Sequence, residues 1–392
     1  MSDRIVRRLV AGLVVVPLLL LAGCTTDSFA PQAVDLSCQG TAGGPVTLVV
    51  GARANSPRPV IPEPVAGLIR EAAKRGAPIQ AVRVDGAPNS VLNATFHTNA
   101  RNEAARLRAL SAFLADLGTA VERITAKVPE ADVLEALAQA AHITQPGGTV
   151  VVLDSGLQTT GLIRFQDEGT FGAEPNEVVE YLKKSGALPE LPGRAVLFAG
   201  LGNTAEPQPA LTQNLRNRVA DLWTAIATSG DASCVADLKT ASTTGSIGGN
   251  VPVTVVPLPS QPTFKACGRT VLDDSSSVAF RPDTATFRDA AAARKTLGSL
   301  ADVTRAGQQH LTLTGTTASV PGSGGNGVVL SRKRAEAVAD VLKGMGVPAS
   351  RITTVGGGNT SKFHIRDLDG KGNLIPAAVV RNRSVVIELS CA

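Results

Sequence analysis

Aromatic residues are scarce: ten Phe, one Tyr and one Trp in 392 residues, 3% of the chain. Stacking platforms for bases or sugars are therefore few, which speaks against nucleic-acid partners. Histidine is scarce too, with four scattered copies, and no Cys-x-x-Cys occurs, so no metal site of the zinc type is expected. GxSxG, P-loop, HExxH and paired-carboxylate motifs are all missing. Hydrolase chemistry then lacks a nucleophile or a metal, and no catalytic residue is expected. Alternating strands of about ten residues, repeated many times, are also missing, which excludes a transmembrane barrel. One formal dinucleotide fingerprint exists, Gly322-x-Gly324-x-x-Gly327. The loop after Thr317 is too long for it, and no acid ends a following strand at the required spacing, so these glycines read as a flexible loop and no cofactor is expected.

What is present begins with an address. MSDRIVRR is basic and LVAGLVVVPLLLLA is apolar. The apolar run falls short of the ~20 residues a spanning helix needs, so this is a secretory signal. LAGC, residues 21–24, resembles a bacterial lipobox. That resemblance implies cleavage before Cys24 and its diacylation, giving an N-terminal diacyl (palmitate-type) anchor. Residues 1–23 are then a lipoprotein signal peptide, and 24–44 a polar tether. The mature protein is expected to be exported and lipid-anchored to the cell membrane, facing the cell wall. Four cysteines remain, Cys38, Cys234, Cys267 and Cys391. In an oxidising compartment an even number reads as two disulfides.

A Gly/Ser/Thr/Pro-rich stretch at 241–265 reads as an extended, non-globular linker. It divides the chain into domains at 45–240 and 266–392. Residues 24–261 carry 18 Lys plus Arg and 22 Asp plus Glu, a net of −4; residues 262–392 carry 17 and 10, a net of +7. A basic, exported, aromatic-poor domain points to an anionic envelope polymer or lipid surface.

In the first domain VTLVVGA, IQAVRVD, TVVVLDS and RAVLFAG are Val-rich runs of the buried-strand type. Between them lie helical stripes, one through Leu107, Leu110, Leu114, Leu117, Val121 and Ile124, another through Leu211, Leu215, Val219, Leu222 and Ile226. The alternation predicts a doubly wound α/β sheet, whose ligands would sit beyond the strand C-terminal ends. The arrangement resembles a von Willebrand factor A (vWA-like) domain. That family holds a divalent cation through Asp-x-Ser-x-Ser in its first loop. GARANS offers only Asn55 and Ser56 there, and Asp154 matches the later loop aspartate. One carboxylate is a poor site for a hard cation, so Asp154 is expected to end a strand in a turn or cap a helix, without metal.

In the second domain SSSVAF reads as a strand, and RPDTATFRDAAAARKTLGSLADVTRAG as helical. HLTLT alternates. The next helix carries Ala335, Val338, Leu342 and Met345 on one face, with Ser331 as its N-cap. RITTV and NRSVVIELS are further strands, giving a βαβαβ-type α/β sandwich. Cations crowd the wrong end of the helix: Arg332, Lys333 and Arg334 fall in its first turn, where the dipole disfavours each by roughly 0.3–1 kcal/mol.

These residues resemble the OmpA-like domain that associates with peptidoglycan and is shared by OmpA, MotB and the Pal lipoproteins. VAFRPDTATF, LTLTGTTAS, LSRKRAEAVADVLKGMGV, RITTVGGG and NRSVVIEL match its ordered motifs over residues 276–390. The resemblance implies non-covalent binding of diaminopimelate in peptidoglycan stem peptides. Arg334 matches the Leu-Ser-x-x-Arg-Ala arginine that takes the carboxylate, and Arg383 belongs to the closing Asn-Arg motif. The family's Gly-His-Thr-Asp reads Gly315-Thr316-Thr317-Ala318 here, so Thr317 is kept and the amine's acid is lost. Asp283, in the turn after the first strand, either replaces that acid or caps the following helix; Asp367 is a further acid within reach. The expected ligand set is Arg334, Thr317, Asp283 and Arg383. Peptidoglycan and membrane lipid are the expected partners, with an envelope protein partner for the first domain. The alternative is an envelope protein-interaction module whose OmpA-like domain has lost peptidoglycan binding. One disulfide per domain is expected, Cys38–Cys234 and Cys267–Cys391, since each pair brackets its own domain.

Overall fold

Residues 38, 40–51, 53–239, 245, 251–320 and 327–390 are described by the computed structural model. The signal peptide, Cys24, most of the tether, Cys391 and the loop at 321–326 lie outside them.

The Val-rich runs become strands buried on both faces. β1 (Val46–Gly51), β2 (Ile79–Val84), β3 (Asn89–Ala94), β4 (Thr149–Leu153), β5 (Ala195–Ala199) and β6 (Cys234–Asp237) form one sheet in the order β3-β2-β1-β4-β5-β6. All pairings are parallel except that of the edge strand β3 with β2. Successive side chains serve opposite cores. Val49, Val150, Val152, Val196 and Phe198 pack with α3 (Val133–Ile143), α4 (Pro175–Ser185) and α5 (Gln213–Ser229). Leu48, Val50, Val151, Leu153 and Leu197 pack with α1 (Glu63–Lys74) and α2 (Glu103–Glu122). A strand with period-two alternation cannot leave either face wet here, so both faces are covered by helices. A disulfide joins Cys38, ahead of β1, to Cys234 at the start of β6, across a sequence separation of 196.

The second sheet contains β7 (Arg269–Leu272), β8 (Leu311–Thr316), β9 (Ile352–Gly358) and β10 (Val385–Leu389), in the order β7-β10-β8-β9. β10 runs antiparallel to β7 and β8, and β8 runs parallel to β9. Its apolar face packs on α6 (Ala290–Ala306) and α7 (Val328–Gly344) through Leu311, Leu313, Ile387, Leu297, Leu300, Val338 and Leu342. A short α8 (Pro376–Asn382) precedes β10. This is a two-layer α/β sandwich.

Three local expectations are corrected. The first strand of this sheet is Arg269–Leu272; SSSVAF forms turns, and only Phe280 bridges, to Phe287. Helix α6 begins at Ala290, capped by the Asp289 carboxylate on the Ala291 and Ala292 amides, so Asp283 is not the cap. Helix α7 begins at Val328 with Gly327 as its N-cap, so Ser331 lies inside it. The Ser331 hydroxyl donates to the Val328 carbonyl and accepts from the Gly358 amide, tying helix to strand.

The described residues of both sheets belong to one compact unit. The segment read as a linker carries no helix or strand over 252–264, yet it is held down. Val256 is buried in the first domain's core, and its backbone exchanges two hydrogen bonds with the Gln208 amide, at 2.7 and 3.0 Å. The second domain reaches the first by close approach. A Cβ at Gly169 would lie 2.3 Å from the Ala377 carbonyl, and one at Gly172 2.9 Å from the Ser275 amide.

Candidate functional site

The site grows from the meeting of β8, α7 and the turn at 281–286. Two glycines let α7 lie close on the sheet. A Cβ at Gly315 would sit 1.9 Å from the Ser331 carbonyl, and one at Gly356 2.4 Å from that of Val328. Arg334 therefore emerges from the second turn of α7 into the domain and is only 2% exposed. Its Nε donates to the Thr284 carbonyl at 2.9 Å, and its guanidinium lies 5.4 Å from the centre of the Phe280 ring. The turn that supplies Thr284 is closed by Arg281 N donating to Thr286 O at 2.8 Å, with Phe280 stacked on Phe287. Burial lowers the pKa of Arg334, opposed by the negative charge of Asp274.

Asp274 is the centre of the cluster. It is 3% exposed, and its carboxylate accepts from the Phe280 amide at 3.4 Å. Arg288 Nη2 stands 3.5 Å away and Arg383 Nη1 3.9 Å. Burial raises its pKa to about 6, although Arg288, Arg383 and Arg334 all pull it down. Three arginines thus surround a single buried acid. Asp283 is exposed at the turn, with φ of +53°, and its charge acts on both Arg334 and Arg383.

Two further acids come from the first domain. Glu177, in the first turn of α4, takes both terminal nitrogens of Arg383, one at 3.1 Å. Glu174, the α4 N-cap residue, pairs with Arg288 at 2.5 Å. Burial works against the Arg383 charge, but the Glu177 hydrogen bonds and charge outweigh it and raise its pKa.

A second polar group closes the end of β8. Asp367, 1% exposed, accepts from the Ser319 amide at 2.8 Å and from Asn382 Nδ2 at 2.9 Å. Burial would raise its pKa, but the Ser319 and Asn382 hydrogen bonds and His364 lower it. Thr317 is buried beside Gly327, and its hydroxyl has no partner among the described residues.

Of the sequence-derived ligands, Arg334, Arg383 and Asp283 share one electrostatic field. Thr317 stands apart from those contacts, at the end of β8. Asp274, Arg288, Glu174 and Glu177 were not anticipated. The run Asp273-Asp274-Ser275 reads as an ordinary polar turn, so nothing local marks Asp274 as a buried site residue. Glu174 and Glu177 look like ordinary first-turn acids of a helix.

In the first domain, Asp154 follows β4 and its Oδ1 accepts from the Gly156 amide, an Asx turn. Arg53 grips the same carboxylate, with Nη2–Oδ1 at 3.0 Å, and both side chains are fully buried. The loop that would hold a cation in a von Willebrand factor A domain thus brings its own cation, a guanidinium, to Asp154. The sheet is doubly wound, as the alternation of strands and helices predicts.

Residues 279–371 match the family model described as OmpA family, so the chain carries an OmpA-like domain at its C-terminus. Solved structures similar to this chain include the periplasmic domain of Helicobacter pylori MotB, at 17% identity over 31% of this chain and 75% of that chain, with a TM-score of 0.26. The peptidoglycan-associated lipoprotein of Burkholderia pseudomallei shares 23% identity over 29% and 87%, with a TM-score of 0.23. The cell wall anchor of the T6SS from Pseudomonas aeruginosa shares 24% over 32% and 81%, with a TM-score of 0.26. No curated protein matches the chain. Among the described residues no helix is long and apolar enough to cross a membrane.

Proposed function

We propose that this protein is a lipid-anchored envelope component that binds peptidoglycan non-covalently through its C-terminal domain and does not act as an enzyme. The observation that carries this reading is Arg334, buried against Phe280 in a three-arginine cluster within the OmpA-like domain. Arg334 and Arg383 receive a carboxylate of the diaminopimelate end through charge-assisted hydrogen bonds. Asp283, exposed in their field, takes the ammonium in place of the acid lost at Ala318. Asp367 is the poorer candidate, because its carboxylate is already engaged by Ser319 and Asn382. Domain one, residues 45–240, serves as an interaction domain, with residues 24–44 as tether and Cys24 as the lipid site.

Co-sedimentation of the full chain with insoluble peptidoglycan tests this. The wild type binds weakly, Arg334→Ala abolishes binding, and Ala318→Asp strengthens it at least tenfold, about 1.4 kcal/mol. Sedimentation by none of these proteins would leave the interaction-module reading, which Ala318 favours.

A further inference from the structure

We propose that the first domain supplies a built-in competitor for the arginine cluster, so that α4 must leave before the wall ligand can be held fully. This rests on the peptidoglycan reading above. The observations are independent of it. Glu177 occupies both terminal nitrogens of Arg383, which is the two-pronged contact a ligand carboxylate would need. Glu174 occupies Arg288 in the same way at a single point. Both acids stand in or beside the first turn of α4, and their spacing of three residues places them on one face. A third pair, Arg381 with Glu168 at 3.1 Å, continues the seam. In all three the acid comes from domain one and the arginine from domain two.

The seam is built for contact. Gly169, at φ of +102°, lies so close to α8 that no side chain fits, and Gly172 also packs closely against residue 275. The net charges of the two halves, −4 and +7, have the sign such a seam requires. Of the three arginines, Arg288 and Arg383 have side chains 20% and 15% exposed, while Arg334 is 2% exposed. The two with the more exposed side chains are the two that the glutamates hold, so a carboxylate shared by Arg334 and Arg383 must displace Glu177. Glu177 already takes both terminal nitrogens of Arg383, so a ligand carboxylate can make that same two-pronged contact only when α4 withdraws.

The test compares the full chain with Glu174→Gln/Glu177→Gln, using insoluble peptidoglycan as the probe, after thermal unfolding has shown that the variant is folded. At least tenfold tighter binding by the variant is expected. Equal binding by both overturns the competitor while leaving wall binding intact. Binding by neither overturns the wall reading and this inference with it. A second measurement needs no variant. Hydrogen exchange of the unaltered chain with meso-diaminopimelate should show faster exchange across α4 and residues 169–174. Unchanged or slower exchange there, at a concentration that protects the 281–286 turn, overturns the proposal.

Discussion

At the scale of single residues, Asp274 governs the site. Its folded pKa of about 6 lies above the ordinary value of 3.8. Below pH ~4 it is protonated in the folded and unfolded chain alike. Between about 4 and 6 only the unfolded chain releases the proton, so stability falls as pH rises through this window, by roughly 2–3 kcal/mol, and stays lower above it. Asp274→Asn should remove that decline. Urea midpoints at pH 4 and pH 7, followed by the fluorescence of the buried Trp223, should show the wild-type-minus-variant difference changing by this amount. A difference independent of pH would mean Asp274 titrates normally. The clustered cations of α7 are also explained at this scale. Because the helix starts at Val328, Arg332, Lys333 and Arg334 lie past its first turn, where the dipole's influence has largely decayed.

At the scale of elements, the packing of α7 on β8 and β9 decides where Arg334 stands. Gly315 carries this contact, because the Ser331 carbonyl occupies the space a methyl group would need. Backbone cannot rotate away as a side chain can. Gly315→Ala should therefore cost about 1–3 kcal/mol through overpacking, read as a lower urea midpoint, and should weaken peptidoglycan binding by moving Arg334. Gly298, half-buried on α6 with open space around its Cβ position, is the matched control. Gly298→Ala should stabilise by up to about 1 kcal/mol through helix propensity. A Gly315→Ala protein as stable as the wild type would show that α7 sits farther from the sheet.

For the whole molecule, two features tie distant parts together. The disulfide Cys38–Cys234 closes most of the first domain's chain. A loop of that length gives about 5 kcal/mol of chain-entropy stabilisation. Cys38→Ser/Cys234→Ser should lower the thermal midpoint of the non-reduced protein markedly, and added reductant should then have little further effect at this bond. An unchanged midpoint would show that the unfolded chain is already compact there. Cys267 is also disulfide-bonded, and Cys391 lies outside the described residues. The other feature is the acidic–basic seam, which makes the charge of one half the counter-charge of the other. The net +7 of residues 262–392 is therefore partly satisfied within the molecule before any polymer arrives.

Composition and pattern alone determined the alternation of strands and helices, because a strand buried on both faces must be Val-rich and its covering helices must carry apolar stripes. They also determined the OmpA-like motif order, since a local motif preserves the spacing that packing requires. Tertiary structure decided the rest. The first strand of the second sheet moved from SSSVAF to Arg269–Leu272 because pairing with β10 selects a strand, and local alternation does not. Asp274 and Arg288 entered the site only when the Phe280 turn folded back over Arg334. Glu174 and Glu177 entered from more than a hundred residues away, and no local pattern can register a contact whose two sides are set by the docking of separate cores.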